Sequence, residues 1–241
     1  MKLKLYLVSI LAIFSINATL YSKDLVIGIG GDIETFDVCC ANFIQSHHAL
    51  YAVYEPPVIY PKVKTNSGAL VGDATDLKGT IFESWTPHSD GLSYTIKIRK
   101  GLKLHNGKRI DAKLVHYMFD RNLNTPGGGA WLLKNIAFVT KPPQIIDDYT
   151  IKLVGDKPSP MVMSSMYMTS SSMIDPDVVK QNATSDDKWA TKWMTRNIAG
   201  GSGPYKLVKH IPDQEVVFEA WDDYPFEKPK IKRMIWKIIK I

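Results

Sequence analysis

The chain has 241 residues, 45% of them hydrophobic, and a formal net charge of +6. That length suits one or two domains with a buried core. Its lysines are scattered along amphipathic segments, a distribution that excludes a nucleic-acid binder built on a basic patch.

The first 22 residues read as a secretory signal peptide. Lys2 and Lys4 precede the apolar run "LYLVSILAIFSI", and Ala18 and Ser22 both offer cleavage points. The run is too short for a bilayer span, which needs about 20 residues. No cysteine stands near the cleavage region, so a lipoprotein is not expected. Loss of Lys2 and Lys4 lowers the net charge from +6 to +4. The expected product is exported to the periplasm.

Residues 24–31, "DLVIGIGG", predict a first strand running into glycines. Phe43, Leu50, Val53 and Tyr54 have helical spacing, and Pro56-Pro57 ends that helix. Residues 61–80 read as a polar loop. "SYTIKIRK" alternates Tyr94, Ile96 and Ile98 against Thr95, Lys97 and Arg99, a strand with one buried face. Asp111 is an N-cap, and the helix after it places Leu114, Met118 and Phe119 on one side. "TPGGGAW" (125–131) reads as a glycine loop, with Trp131 placed to line a cleft. "YTIKLV" is a second strand after the Asp147-Asp148 turn. Pro176 enters a further capped segment, and "TSDDKWATKWMTRN" (184–197) predicts a helix with Trp189, Trp193 and Met194 inward. "GGSGPYKLVKH" then turns at Gly203-Pro204 into a half-buried strand of Tyr205, Leu207 and Val208, with Lys206 and Lys209 outward. "EVVFEAW" and "IKRMIWKIIKI" supply two more strands.

Catalytic chemistry finds little support. The glycine segments lack both dinucleotide and phosphate-loop spacing. Gly203-Pro204 leads to a strand, whereas an anion cradle needs a helix N-terminus, so the turn reads as an architectural corner. No histidine pair has i, i+4 spacing. Cys39 and Cys40 are the only cysteines; a bridge between neighbours is strained, and two partly buried thiols are the expectation. With His47 and His48 they form a conceivable soft-metal cluster, although adjacent ligands diverge. The Asp pairs 147-148, 186-187 and 222-223 sit at turns or caps. Ser170 to Ser172 read as a loop, leaving an exported hydrolase the weakest candidate. Neither an enzyme, a cofactor nor a resident metal is expected.

In this order, "DGLSYTIKIRKGLKLHNGKRIDAKLVHYMFDRNL", "GGSGPYKLVKH" and "AWDDYPFEKPKIKRMIWKII" resemble the segments of the family 5 extracellular solute-binding proteins. The resemblance implies an α/β fold, a mixed sheet with helices, forming the first lobe and subdomain of a bilobal, type II-like periplasmic binding protein. Residues 23–60 and about 165–241 would be the first lobe, with about 61–164 an inserted subdomain. The second lobe would be absent, leaving apolar surface around "IWKIIKI" exposed. By resemblance the chain binds peptides for an ABC importer and meets permease subunits in the inner membrane. A nickel or metallophore receptor is the alternative, and a truncated, non-functional fragment another. The implied ligand-binding residues are Cys40, Asn42, Phe43, Ile44 and Gln45, with Gly203, Pro204 and Tyr205 as the structural turn; Trp131 joins the ligand-binding set from its place after the glycines. One departure stands out: the family's Leu-Asp-Pro is here Phe36-Asp37-Val38, without the proline that stiffens this part of the cleft.

Overall fold

The structure, a computed structural model, describes residues 24–239. The predicted signal peptide and both cleavage points lie outside these residues, as do Lys240 and Ile241. In chain order the elements begin with β1 (Leu25–Ile29), α1 (Ile44–Val53), β2 (Val58–Ile59), β3 (Lys62–Lys64), β4 (Leu70–Gly72), β5 (Lys78–Gly79), β6 (Phe82–Pro87) and β7 (Ser93–Ile98). Then come α2 (Ala112–Asn124), α3 (Gly128–Asn135), β8 (Gln144–Asp147), β9 (Thr150–Val154), α4 (Val162–Ser165) and α5 (Pro176–Asn182). The last three are β10 (Tyr205–Ile211), β11 (Glu215–Ala220) and β12 (Arg233–Ile238).

Among the described residues the strands form two larger sheets. One has the order β1-β12-β11-β10 and is mixed, since β1 runs parallel to β12 while the others pair antiparallel. The other, β6-β7-β9-β8, is antiparallel throughout. Two ribbons, β2-β5 and β3-β4, lie outside them.

Each larger sheet has its own apolar core. Ile96, Ile98, Ile151 and Leu153 of the antiparallel sheet pack with Leu114, Val115, Met118 and Phe119 of α2. That helix starts where the Asp111 carboxylate accepts from Leu114 N at 3.0 Å. The mixed sheet contributes Val216, Phe218 and Trp236 to a core with Leu50 and Val53 of α1 and with Ile33, Phe36 and Val38. The chain is thus α/β, built from helices on a mixed sheet.

Several expectations need correction. Residues 184–197 form turns and a single 3₁₀ turn, Trp193–Thr195, not a helix. The Asp187 carboxylate accepts from the backbone N–H of Thr191 and Lys192, at 3.0 and 2.7 Å, and Ala190 adopts φ +50°. A short carboxylate that takes up N–H groups in this way competes with helix propagation. The segment expected as a loop at 61–80 holds the β3-β4 ribbon. Val208 is exposed rather than half-buried, because β10 carries a bulge between Leu207 and Lys209. β12 is paired on both sides and Trp236 at its centre is buried, while Ile235 and Ile238 are half-buried and Ile239 beyond it is 55% exposed, so apolar surface remains open at this end of the described residues.

The Gly-Pro corner fastens these parts together. The backbone N–H groups of Ser202 and Gly203 both donate to Val53 O, at 3.0 and 2.7 Å, closing the end of α1. His105 Nε2 lies 2.9 Å from Gly203 O, Trp221 N donates to Pro204 O at 2.8 Å, and Tyr205 OH donates to Ile231 O at 3.1 Å. Beside the corner, the buried Glu55 donates its N–H to Ser202 Oγ at 3.1 Å, and its carboxyl accepts from Tyr224 OH. A Cβ on residue 203 would sit 2.6 Å from Val53 C and 2.7 Å from Tyr54 N. Those are backbone atoms that cannot swing aside. Gly203→Ala is therefore expected to lower unfolding free energy by about 3 kcal/mol, whereas Tyr205→Phe should cost about 1 kcal/mol. Denaturant melts of the two variants check the ranking; equal losses would contradict it.

Candidate functional site

The site is built on the stretch from Ile33 to Gln45. Asp37 lies within it, wholly buried, and its carboxylate grips the wholly buried Arg121 of α2 in a two-pronged pair, Nη1–Oδ1 2.8 Å and Nη2–Oδ2 2.6 Å. Parallel N–H···O bonds of this kind fix geometry as well as charge. Asp37 Oδ1 also accepts from Cys39 N at 3.0 Å, and Arg121 Nη2 donates to Trp189 O at 2.8 Å. Here the ion pair holds the segment where the family resemblance led one to expect a proline.

The three glycines at 127–129 bring a second element against this segment. They do not form a loop as expected: α3 starts at Gly128, so Trp131 stands on its first turn. Gly127 has φ +151°, and a Cβ there would lie 2.2 Å from Cys39 O. One on Gly129 would lie 2.2 Å from Asn122 Oδ1 and 2.7 Å from Ser170 Cβ. Only bare backbone lets α3 approach so closely. Cys40 Sγ donates to Pro126 O at 3.0 Å across the same contact.

Three large apolar side chains stay exposed on these anchored elements. Phe43 and Ile44 at the start of α1 are each 60% exposed, and Trp131 is 58% exposed. Asn42 turns back on the same loop, its Nδ2 donating to Cys40 O at 3.0 Å. Cys40, Asn42, Phe43 and Ile44 thus follow one another along one stretch, and the start of the helix that carries Trp131 lies against its Cys39-Cys40 end. The Gln45 amide reaches toward Gly31 beyond β1, where a Cβ on that glycine would lie 3.6 Å from Nε2. Further along α1, His47 Nδ1 is 3.1 Å from Thr169 Oγ1, and Tyr51 OH donates to Tyr167 O at 3.3 Å. Tyr167 packs at a tilt against Tyr51 and edge-on against Tyr60, with ring centroids 5.6 and 5.1 Å apart. These partners of α1, like Arg121, escape sequence reasoning because each pair is far apart in the chain.

The thiols and serines carry no reactive chemistry. Burial pushes the Cys39 thiol up to about 11 and raises that of Cys40 as well, so neither is a thiolate near neutrality. Their sulfurs diverge, Cys39 Sγ to Arg121 and Cys40 Sγ to Pro126. Among the described residues no group of three or more His, Cys, Asp or Glu could hold a metal ion. Ser170, Ser171 and Ser172 are all buried, and Ser172 Oγ has no hydrogen-bond partner. A nucleophilic serine needs a neighbouring base and an accessible hydroxyl. No helix among the described residues is long and apolar enough to cross a membrane.

Solved structures share this fold. The periplasmic binding protein DppA of Helicobacter pylori, solved with the peptide STSA, shares it with TM-score 0.72 at 20% identity, over 90% of this chain and 43% of its own. NikA of Brucella suis, solved with Fe(III)-EDTA, matches with TM-score 0.69 at 22% identity, over 91% and 40%.

Residues 76–240 match the bacterial extracellular solute-binding proteins, family 5 (middle), and the chain belongs to that family. It is a family of solute-binding proteins, not of enzymes. The probable D,D-dipeptide-binding periplasmic protein DdpA of Escherichia coli K12 is 28% identical over 215 residues, 89% of this chain and 39% of its own length. The glutathione-binding protein GsiB of Salmonella paratyphi A is 26% identical over 222 residues, 90% of this chain and 36% of its own. The chain thus spans less than two-fifths of either relative's length.

Proposed function

We propose that this chain is the ligand-binding part of an exported ABC-importer substrate-binding protein, that its cargo is a peptide, and that it hands this cargo to permease subunits in the inner membrane. Residues 23–60 and about 165–241 form the first lobe in this reading, and about 61–164 an inserted subdomain. The observation that carries it is the exposed trio Phe43, Ile44 and Trp131 on elements held rigid by a buried ion pair. Large apolar side chains left in water on rigid elements mark a binding face. Cys40 and Asn42 border Phe43 and Ile44 as backbone-anchored polar neighbours, and Gln45 follows them on α1. Peptide-binding names among the relatives support the cargo class.

Isothermal titration of the full-length gene product with di- to hexapeptides, and separately with nickel chelates, tests the reading. Saturable binding of at least one peptide length is expected. Binding of the chelates alone would replace peptide by metallophore, and binding of neither would overturn the assignment.

A further inference from the structure

The apolar face has an acidic neighbour, Glu34, whose carboxylate accepts one backbone hydrogen bond and forms no ion pair among the described residues. Glu34 is exposed, although the residues on either side, Ile33 and Thr35, are 1% and 4% exposed. The peptide bond before it is held at both its polar atoms, Glu34 N donating to the buried Ser46 Oγ at 3.0 Å and Ile33 O accepting from Arg196 Nη1 at 3.1 Å, and after it Thr35 N donates to the same Ser46 Oγ at 3.4 Å. Its side chain is aimed as well, because Oε2 accepts from Asn42 N at 3.2 Å, one residue before Phe43. Among the described residues no lysine or arginine forms an ion pair with this carboxylate. Arg196, the guanidinium on the adjoining backbone, gives Nη1 to the carbonyls of Ile33 and Thr195. Burial and the neighbouring His48 lower the basicity of the His47 imidazole, while the charge of Glu34 acts on it in the opposite direction.

We propose that Glu34 is a specificity-determining residue of the ligand site, where it binds an ammonium group while Phe43 and Ile44 take an adjacent apolar side chain. The inference rests on the peptide-binding reading above. It selects ligands that carry a positive amine next to an apolar group, whether the amine is a peptide's amino terminus or a lysine side chain. A carboxylate whose backbone cannot shift, and whose second oxygen is open, binds such a group without first breaking an internal pair. The alternative role for Glu34 is local: a negative charge near the start of α1, whose N-cap Phe43 makes no side-chain hydrogen bond. Glutamine keeps the hydrogen bond to Asn42 N and removes the charge, so Glu34→Gln separates the two roles.

The test is titration of the full-length wild type and E34Q with Leu-Ala-Ala, its N-acetyl form, N-acetyl-Leu-Lys-Ala and N-acetyl-Leu-norleucine-Ala. The expected result is a loss of ten-fold or more in E34Q for a ligand bearing an ammonium, with no change for its uncharged counterpart. A loss on Leu-Ala-Ala assigns the amino terminus; one on the lysine peptide assigns the side chain. Equal affinities of E34Q and wild type for all four peptides, while the wild type binds, would overturn this inference alone. So would equal losses on charged and uncharged peptides. If the wild type binds no peptide, the functional reading fails and this inference with it.

Discussion

Replacing Arg121 by methionine is expected to lower the unfolding free energy by about 3–5 kcal/mol, because it leaves the Asp37 carboxylate buried without its counter-ion. Both side chains of the pair have no exposed surface, so water cannot substitute for the lost guanidinium. The variant also loses the bond to Trp189 O, and with it the tie to the irregular segment before Met194. Changing both partners, Asp37→Leu with Arg121→Met, removes the stranded charge and should recover most of the loss. The pair's remaining contribution is positional: it holds Cys39 N and, through it, the turn that leads to Phe43. Urea denaturation of the single and double variants measures this directly. A single-variant loss below about 1 kcal/mol, the range of an exposed pair, would contradict the burial described here.

A pH-dependent effect of similar size is expected at Glu55. Burial beside the Gly-Pro corner pushes its carboxyl from 4.5 up to about 7, against the opposing hydrogen bond from Tyr224. The folded state therefore holds this proton more tightly than the unfolded chain does. Its contribution to stability is complete below about pH 4.5 and is lost as pH rises through about 7. Glu55→Gln keeps an acceptor for Tyr224 but has no proton to lose. At pH 8.5 the variant should be more stable than wild type by about 3 kcal/mol, and at pH 4 the two should melt alike. His105 runs in the opposite sense: burial lowers it to about 4, so its contribution is complete above about 6.5 and fades as pH falls through 4. Because both proteins carry His105, the difference between them isolates Glu55. A difference that does not change with pH would contradict the account.

What the sequence revealed and what it hid follow the range of the interactions. The strand at 93–98 and the helix after Asp111 were legible because alternation, helical spacing and an N-cap are local signals. Phe43 and Ile44 were reachable through family resemblance and prove to be exposed where the loop of Cys40 and Asn42 enters α1. The partnership of Asp37 with Arg121 was not legible, since 84 residues separate them and an arginine in a helix ordinarily faces solvent. Trp189, Trp193 and Met194 carry helical spacing, yet the Asp187 carboxylate captures the N–H groups a helix would need. The glycine triplet misled in the other direction. It signals a loop by composition, but here its missing side chains let α3 press onto the Cys39 carbonyl and the α2 surface.

The claim that the face of Phe43, Ile44 and Trp131 receives the ligand is tested most directly by one comparison. Peptide affinity and melting temperature should be measured together for the full-length wild type, Trp131→Ala and the double variant Phe43→Ser/Ile44→Ser. All three side chains are already largely exposed, so melting should move by no more than about 2 °C, while peptide affinity should fall ten-fold or more in each variant, as for the loss of an aromatic or apolar anchor. Wild-type affinity in both variants would place the ligand elsewhere and contradict the account.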